Sequence, residues 1–514
     1  MPYHQPDILF IVLDTVRRDR LSIYGNAQET TPAFDGFAAD ATLFERAISP
    51  AQWTVPAHAS MFTGLYPTTH RVTQSNSKLA AAYPTLAELL RAQGYHTAGF
   101  CNNPLVGVLE NDLKRGFSAF YNYAGAAPSR PQDAARGPVR RALSRAWRRF
   151  AMQVSQQFAH SDWLFRHSLH PLLVPIWTRS INYKGHTERS VNDLIEYLAT
   201  RRSSHPETPH FTFLNLMSAH LPYRPPQGLL DRFAPELSRD KAAYQFMARF
   251  NADAARWASP VDEPLSAFQS RVIEGYYDAE IAHQDQHLGR LLDALRSSGA
   301  LEDTMVIITA DHGEGHGDHG YFGHSFVVYQ ELVHVPLAIR YPAKFPGARR
   351  IKTNVSTRRL FHTVLDAAGV RIPEWETNTA PDLSLVQTLN GQPDVEGDLA
   401  FAEAFPPLTF LNVLKHRNPG LIEQLKLRQV RRGVYHKAHK LAIAGTRVEG
   451  LFNLNADPQE IRDVAALNQQ RVTELQAHID TFVQQAEAAR LDGPPDVYIS
   501  ETMIENLRAL GYIE

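Results

Sequence analysis

A single cysteine, Cys101, stands in the 514-residue sequence, so neither an internal disulfide framework nor a cysteine-ligated zinc site is open to it. Charge of one sign is lacking too: 52 Lys and Arg against 54 Asp and Glu leave a net charge of −2. That balance argues against nucleic acid as the main partner, because phosphate backbones are usually held by a strongly basic domain. No run reaches the roughly 20 apolar residues that span a bilayer. The start, MPYHQPDILFIVLDTVRRD, lacks a basic segment leading into an apolar run and a cleavage site. The expectation is therefore a cytoplasmic protein. Internal repeats and low-complexity tracts are also missing. What is present is an ordinary globular composition, 44% hydrophobic and 21% charged, in a chain long enough for one large domain and a smaller one. It also has 23 histidines, several of them clustered.

Continuous apolar runs mark strands covered on both faces. ILFIVLD (8–14) is one, FTFLNLMSAH (211–220) a second, and TMVIITADHGEGHGDHG (304–320) begins as a third. TLAELLRAQGYHTAGFC (85–101) reads as a helix that stops near Gly94 and then a strand. Residues 276–301 carry apolar side chains at helical spacing, as a long amphipathic helix does. Alternating strands and helices predict an α/β fold: a large domain with a mostly parallel central sheet flanked by helices, spanning 1–394. A smaller C-terminal α+β unit, 395–514, is expected from the strand-like GVYHKAHKLAIA and GLFNLNADP ahead of a helix. Residues 124–180 break the alternation. They hold seven arginines between 130 and 149 and then turn rich in Trp, Phe and Leu, which predicts a helical insertion beside the site. Its arginines, with Trp147 and Phe150, have the composition of a helix on an anionic membrane surface. A solvated helix covering the site, or an interface with a second copy, is the favoured reading, since no other membrane signal is present.

In parallel sheets chemistry collects beyond the carboxyl ends of the strands. Asp14, His220, Asp311 and His312 all fall at such ends. A lone Asp-His pair is usually a solvated turn, but Asp14 adds a second carboxylate on another buried strand. Buried charge is costly unless partnered, and a metal ion is a common partner. The stretch SPAQWTVPAHASMFTGLYPTTH (49–70) then places a hydroxyl, Thr54, two residues ahead of Pro56 and four ahead of His58. Thr54 either caps the helix that follows or serves as a metal-activated nucleophile. The two roles are compatible, since a helix N-terminus also favours an anion, toward which His58 is expected to point.

TVPAHASMFTG (54–64) resembles the sulfatase signature, Cys/Ser-X-Pro-Ser/Ala-Arg followed by Thr-Gly. YDAEIAHQDQHLGRLLDAL with TMVIITADHGE resembles that family's second hallmark region, and SAHLPY, VHVPLAIRYP and GLFNLNADPQE resemble further family segments. The resemblance covers nearly the whole chain except the insertion. It implies the alkaline phosphatase superfamily, an α/β domain with a small four-stranded C-terminal domain, and cleavage of sulfate or phosphate esters at a metal-held nucleophile. By position it implies Asp14, Asp311 and His312 as metal ligands, with Thr54 as nucleophile and fourth contact. His220 matches the histidine that meets the leaving-group oxygen. His324 stands where the family usually has a Lys that binds the transferred group, His58 where it has the signature Arg, and Asn102 where it has a substrate-binding Lys.

The departures matter as much. Sulfatases convert the signature Cys or Ser to formylglycine, and Thr54 cannot give that aldehyde. Thr15 replaces the second Asp of the first strand, and His312 replaces an Asn. An Asp/Thr/Asp/His set is similar instead to single-metal phosphodiesterases and phosphoethanolamine transferases, which pass through a phospho-threonine. The expected activity is metal-dependent hydrolysis of phosphodiesters or phosphonate monoesters through Thr54. A sulfatase without formylglycine and a phospho-group transferase are the alternatives. One divalent ion is expected, Mn²⁺ or Zn²⁺ ahead of Ca²⁺ or Mg²⁺, because imidazole suits transition metals. The substrate is expected to be a small-molecule, glycan or lipid-headgroup ester, and homo-oligomerisation is left open.

Overall fold

The computed structural model describes residues 5–491 apart from 126–127, 136, 138–142, 145, 148–149, 152, 155–156, 158–160, 181, 261–262, 371–379 and 391–393. Six of the seven arginines between 130 and 149, and the last 23 residues, therefore lie outside the described residues.

The chain builds an eight-stranded sheet from β1 (Asp7–Leu13), β2 (Thr42–Ile48), β3 (His96–Cys101), β4 (Ala119–Asn122), β5 (His210–Leu216), β6 (Thr304–Thr309), β9 (His334–Arg340) and β10 (Arg349–Ser356). The spatial order is β10-β2-β9-β6-β1-β5-β3-β4. Only β9 runs antiparallel to its neighbours. β1 lies at the centre, parallel to β5 on one side and β6 on the other. Residues Ile8 to Val12 are fully buried, because helices cover both faces and leave no solvated side on which a polar residue could alternate. Two short strands, β7 (Gly315–His316) and β8 (Phe322–Gly323), pair beyond β6 and fold the histidine-rich loop back on itself.

The long helix spans Ala267–Ser297, nine residues earlier at its start than the apolar pattern indicates. A Ser266/Gln269 capping box sets that start. A second capping box, Thr85/Glu88, opens the helix Leu86–Ala92 that leads into β3.

A separate antiparallel sheet forms the C-terminal subdomain: β11 (Leu399–Ala404), β12 (Arg431–His436), β13 (His439–Ala444) and β14 (Arg447–Asn453), in that order. Val472, Leu475 and Ile479 of the helix Gln469–Ala488 pack on Val434, Leu441 and Leu451 to give this sheet its own core. A buried carboxylate joins the C-terminal sheet to the short helix Pro67–His70 of the large domain. Glu403 on β11 accepts the Thr68 backbone N–H (2.8 Å), the Thr68 hydroxyl and the Arg432 guanidinium (2.9 Å). Among the described residues no helix is long and apolar enough to cross a membrane.

Candidate active site

The parallel register of β1, β5 and β6 brings their carboxyl ends side by side, so Asp14, His220 and Asp311 leave the sheet at one edge. Asp14, Asp311 and His312 are each fully buried. One ligand atom from each lies within 4.8 Å of the others. Asp14 spends one carboxylate oxygen on the amides of Asn103 (2.7 Å) and Asn215 (3.0 Å), and its other oxygen has no partner. Asp311 is likewise split: Oδ1 accepts the backbone N–H of Thr15 (3.3 Å) and of His312 (3.0 Å), while Oδ2 has no hydrogen-bond partner. Burial, with Asp311 as a like charge, pushes Asp14 up to about 7, and burial lifts Asp311 to about 7 as well.

Thr15 contributes through its backbone. It holds φ at 59°, a left-handed conformation costing a β-branched residue on the order of 1–3 kcal/mol. That turn aims its N–H at Asp311, and it is secured by the Tyr277 hydroxyl donating to the Thr15 carbonyl at 2.6 Å.

Thr54 opens the helix Thr54–Thr63, all ten residues of which are buried. Its hydroxyl does not cap that helix, whose N-cap is Trp53 with no side-chain cap. Instead Thr54 Oγ1 lies 3.3 Å from His312 Nε2 and 3.3 Å from the Asn103 amide nitrogen. The helix ends at Gly64, at φ 75°, where a Cβ would come within 2.5 Å of the His362 ring. Close packing of this kind fixes the helix, and with it the hydroxyl.

The histidines divide by their hydrogen bonds, from which their tautomers are assigned. His312 Nδ1 donates to the Gly313 carbonyl (2.8 Å), leaving Nε2 bare toward Thr54 and Asp311. His220 Nδ1 donates to the Leu221 carbonyl (2.6 Å), and its ring meets that of His324 edge to face at 5.2 Å. His324 Nδ1 is 2.7 Å from Glu314 Oε1, and its ring lies 4.4 Å from that of His312. Burial holds His312 and His324 down to about 4 and, with the neighbouring His324, His220 to about 3. All three are neutral at pH 7.

His58 lies differently from its expected aim at an anion. Its Nδ1 donates to the Thr54 carbonyl (2.9 Å) and stands 3.5 Å from Asp311 Oδ2, while its ring is wedged edge-on between Phe62 and Phe213. Burial lowers it to about 4, so it supports Thr54 and Asp311 as a neutral group. Asn102 also turns elsewhere: its amide donates to Ser190 Oγ (3.0 Å), and the next residue, Asn103, is the one that reaches Asp14 and Thr54. Asn103 is placed there as the N-cap of the short helix Pro104–Gly107. An Asn-Pro pair just after a strand is the sequence signal that marks it. Three further residues of the site escape sequence reasoning. Asn215 holds Asp14. Glu314, buried and pushed up to about 7, orients His324. Tyr183 sets its ring edge-on to His220 at 5.8 Å.

Two unpartnered carboxylate oxygens, a bare imidazole nitrogen and a hydroxyl, all buried and converging, form an oxygen-and-nitrogen donor set that fits one divalent cation. Residues 6–370 match the family model described as Sulfatase. The chain belongs to the sulfatase family. This is a family of hydrolases that act on ester bonds and generally depend on a divalent metal. Among curated relatives, an arylsulfatase of Clostridium perfringens is 24% identical over 397 residues, covering 72% of this chain and 76% of its own length. Arylsulfatase K of Bos taurus is 24% identical over 481 residues, covering 90% and 78%. Among solved structures, the phosphonate monoester hydrolase of Agrobacterium radiobacter aligns with a TM-score of 0.66 at 24% identity, covering 94% of this sulfatase-family chain and 96% of that one. A 2-O GAG sulfatase aligns at 0.62 and 18% identity, covering 94% and 93%. These alignments share the fold described above.

Proposed function

We propose that this ester hydrolase cleaves phosphodiesters or phosphonate monoesters by way of a covalent intermediate on Thr54. The observation that carries the reading is the Thr54 hydroxyl itself, uncapped, buried, and 3.3 Å from both His312 Nε2 and the Asn103 amide. Asp14, Asp311, His312 and Thr54 would hold the divalent ion, which lowers the pKa of a hydroxyl and neutralises an anionic ester when bound. In the proposed sequence the Thr54 oxygen bonds to phosphorus as its proton passes to solvent, and the bond from phosphorus to the leaving oxygen breaks. His220 delivers a proton to that oxygen. Water, giving a proton to the now neutral His220, then attacks phosphorus; the bond from phosphorus to Thr54 breaks, and a proton from solvent restores the Thr54 hydroxyl. Asn103 steadies the Thr54 oxygen and Asp14 together. His324, oriented by Glu314, faces the transferred group. His220 is held at about 3 in the free protein, so it acquires its proton only beside a bound anion, which favours the imidazolium.

Sulfate-ester hydrolysis is the second reading, favoured by the arylsulfatase relatives. Thr54 argues against it, because a threonine cannot be oxidised to formylglycine. Purified protein supplied with Mn²⁺ and assayed on an aryl sulfate, a phosphate monoester, a phosphodiester and a phosphonate monoester separates the two. The diester and phosphonate are expected to give the highest kcat/KM. Preference for the aryl sulfate by about tenfold or more, a difference of about 1.4 kcal/mol in transition-state binding, would overturn the first reading in favour of the second.

A further inference from the structure

A second group of metal-ligating side chains lies in the C-terminal subdomain. His436 ends β12, and His439, its partner across the ladder, begins β13. Strand alternation puts His436 on the face of Val434, and His439 on the face of Leu441, the face covered by the helix Gln469–Ala488. That helix presents Glu474 and His478, four residues apart and so on one side. One ligand atom each from His436, Glu474 and His478 lies within 4.8 Å of the others. The His436 and His478 rings are 5.4 Å apart, and His436 Nδ1 is 3.7 Å from Glu474 Oε1. Ligand atoms around a tetrahedral zinc ion, with bonds of about 2.0–2.1 Å, stand about 3.3 Å apart, so small side-chain rotations close the gap.

We propose that His436, Glu474 and His478, with His439 available as a fourth ligand, form a zinc-class metal site that clamps the β12–β13 hairpin to the C-terminal helix. Imidazole and carboxylate donors select a transition metal over Ca²⁺ or Mg²⁺. Arg471 is the competitor: it pairs with Glu474 Oε1 (2.7 Å) and donates to His436 Nδ1 (3.2 Å) and to the His436 carbonyl (2.9 Å). Metal binding displaces it from the ring and the carboxylate but leaves it the carbonyl. A third grouping, His319, Glu331 and Glu460, lacks that capacity. Lys440 sits 2.6 Å from Glu460, and both nitrogens of His319 are engaged by Glu331 and the Gln459 carbonyl.

Titrating Zn²⁺ into metal-free full-length protein tests the site, with Asp311→Asn separating it from the catalytic centre. Wild type is expected to take up two equivalents and Asp311→Asn one. His478→Ala, and independently Glu474→Gln, should each remove one equivalent from wild type, leave ester hydrolysis unchanged and abolish the zinc-dependent rise in the melting temperature of the subdomain. Arg471→Ala should tighten the second equivalent. An unchanged zinc count in both His478→Ala and Glu474→Gln would overturn the proposal.

Discussion

Two buried carboxylate clusters in this molecule contrast in how fully they are paired. Glu403, between β11 and the short helix Pro67–His70, has both oxygens taken by Thr68 and Arg432. Asp14 and Asp311, equally buried, each keep one oxygen without a hydrogen bond and are pushed up to about 7. A protein that only needed a polar joint would have paired these as it paired Glu403, since an unsatisfied buried charge costs several kcal/mol. In the proposed function, these unpaired oxygens are the ones that would hold the cation. Equal burial therefore covers two different settings, and the difference lies in the hydrogen bonds each carboxylate keeps.

The sharpest way to break the comparison is to neutralise one member of each cluster. Asp311→Asn is expected to lower kcat/KM by about 10³ or more, if the bound cation supplies about 4 kcal/mol or more of transition-state stabilisation. Metal-free stability should hold or rise, because a carboxyl whose folded pKa lies above its unfolded value of 3.8 loses stability as pH climbs from there to 7. Chemical denaturation in a chelator checks the second half. Glu403→Ala should do the reverse, destabilising by about 3–5 kcal/mol as broken buried pairs do, with kcat per folded molecule unchanged.

Asn103 sharpens the contrast within the site. Asn103→Ala removes a support of both Asp14 and Thr54, and a loss of about 10–100-fold in activity or metal affinity is expected. Asn102→Ala, whose parent amide faces Ser190, should cost less activity, and steady-state kinetics of the pair will rank them.

The smallest effect concerns pH. His70 is buried, donates to Ser60 Oγ and accepts the Val72 N–H, and burial holds it down to about 3. Its unfolded form takes up a proton near 6.5, so its contribution is full above that pH and is lost as pH falls from about 6.5 toward 3. The expected slope is on the order of 1 kcal/mol per pH unit across that window. His70→Gln should flatten the slope in urea unfolding measured at pH 7, 6 and 5.

Much of this was legible because parallel strands announce themselves. β1, β5 and β6 are covered on both faces, so they read as unbroken apolar runs, and the residues just past them are the ones that meet. β2 is harder to read, with Glu45 and Arg46 in its middle, and β10 carries Arg349, Arg350 and Lys352 on an edge. Side-chain direction was the least readable property. Whether Asn102 or Asn103 faces Thr54 turns on a one-residue alternation at the end of β3, decided by the capping demand of the helix at Pro104. His58 lies one turn into its helix, as its spacing implies, but Phe62 and Phe213 enclose its ring, and only the packed structure contains that fact.

The central claim is that Thr54 carries the transferred group, and rapid quench followed by high-resolution mass spectrometry of the Thr54 peptide tests it directly. With Mn²⁺ and a phosphodiester or phosphonate monoester, the account predicts a phosphorus-containing adduct on Thr54 during turnover, absent from Thr54→Ala. A Thr54→Ala enzyme with full activity, or wild-type turnover with no adduct at any quench time, would contradict it.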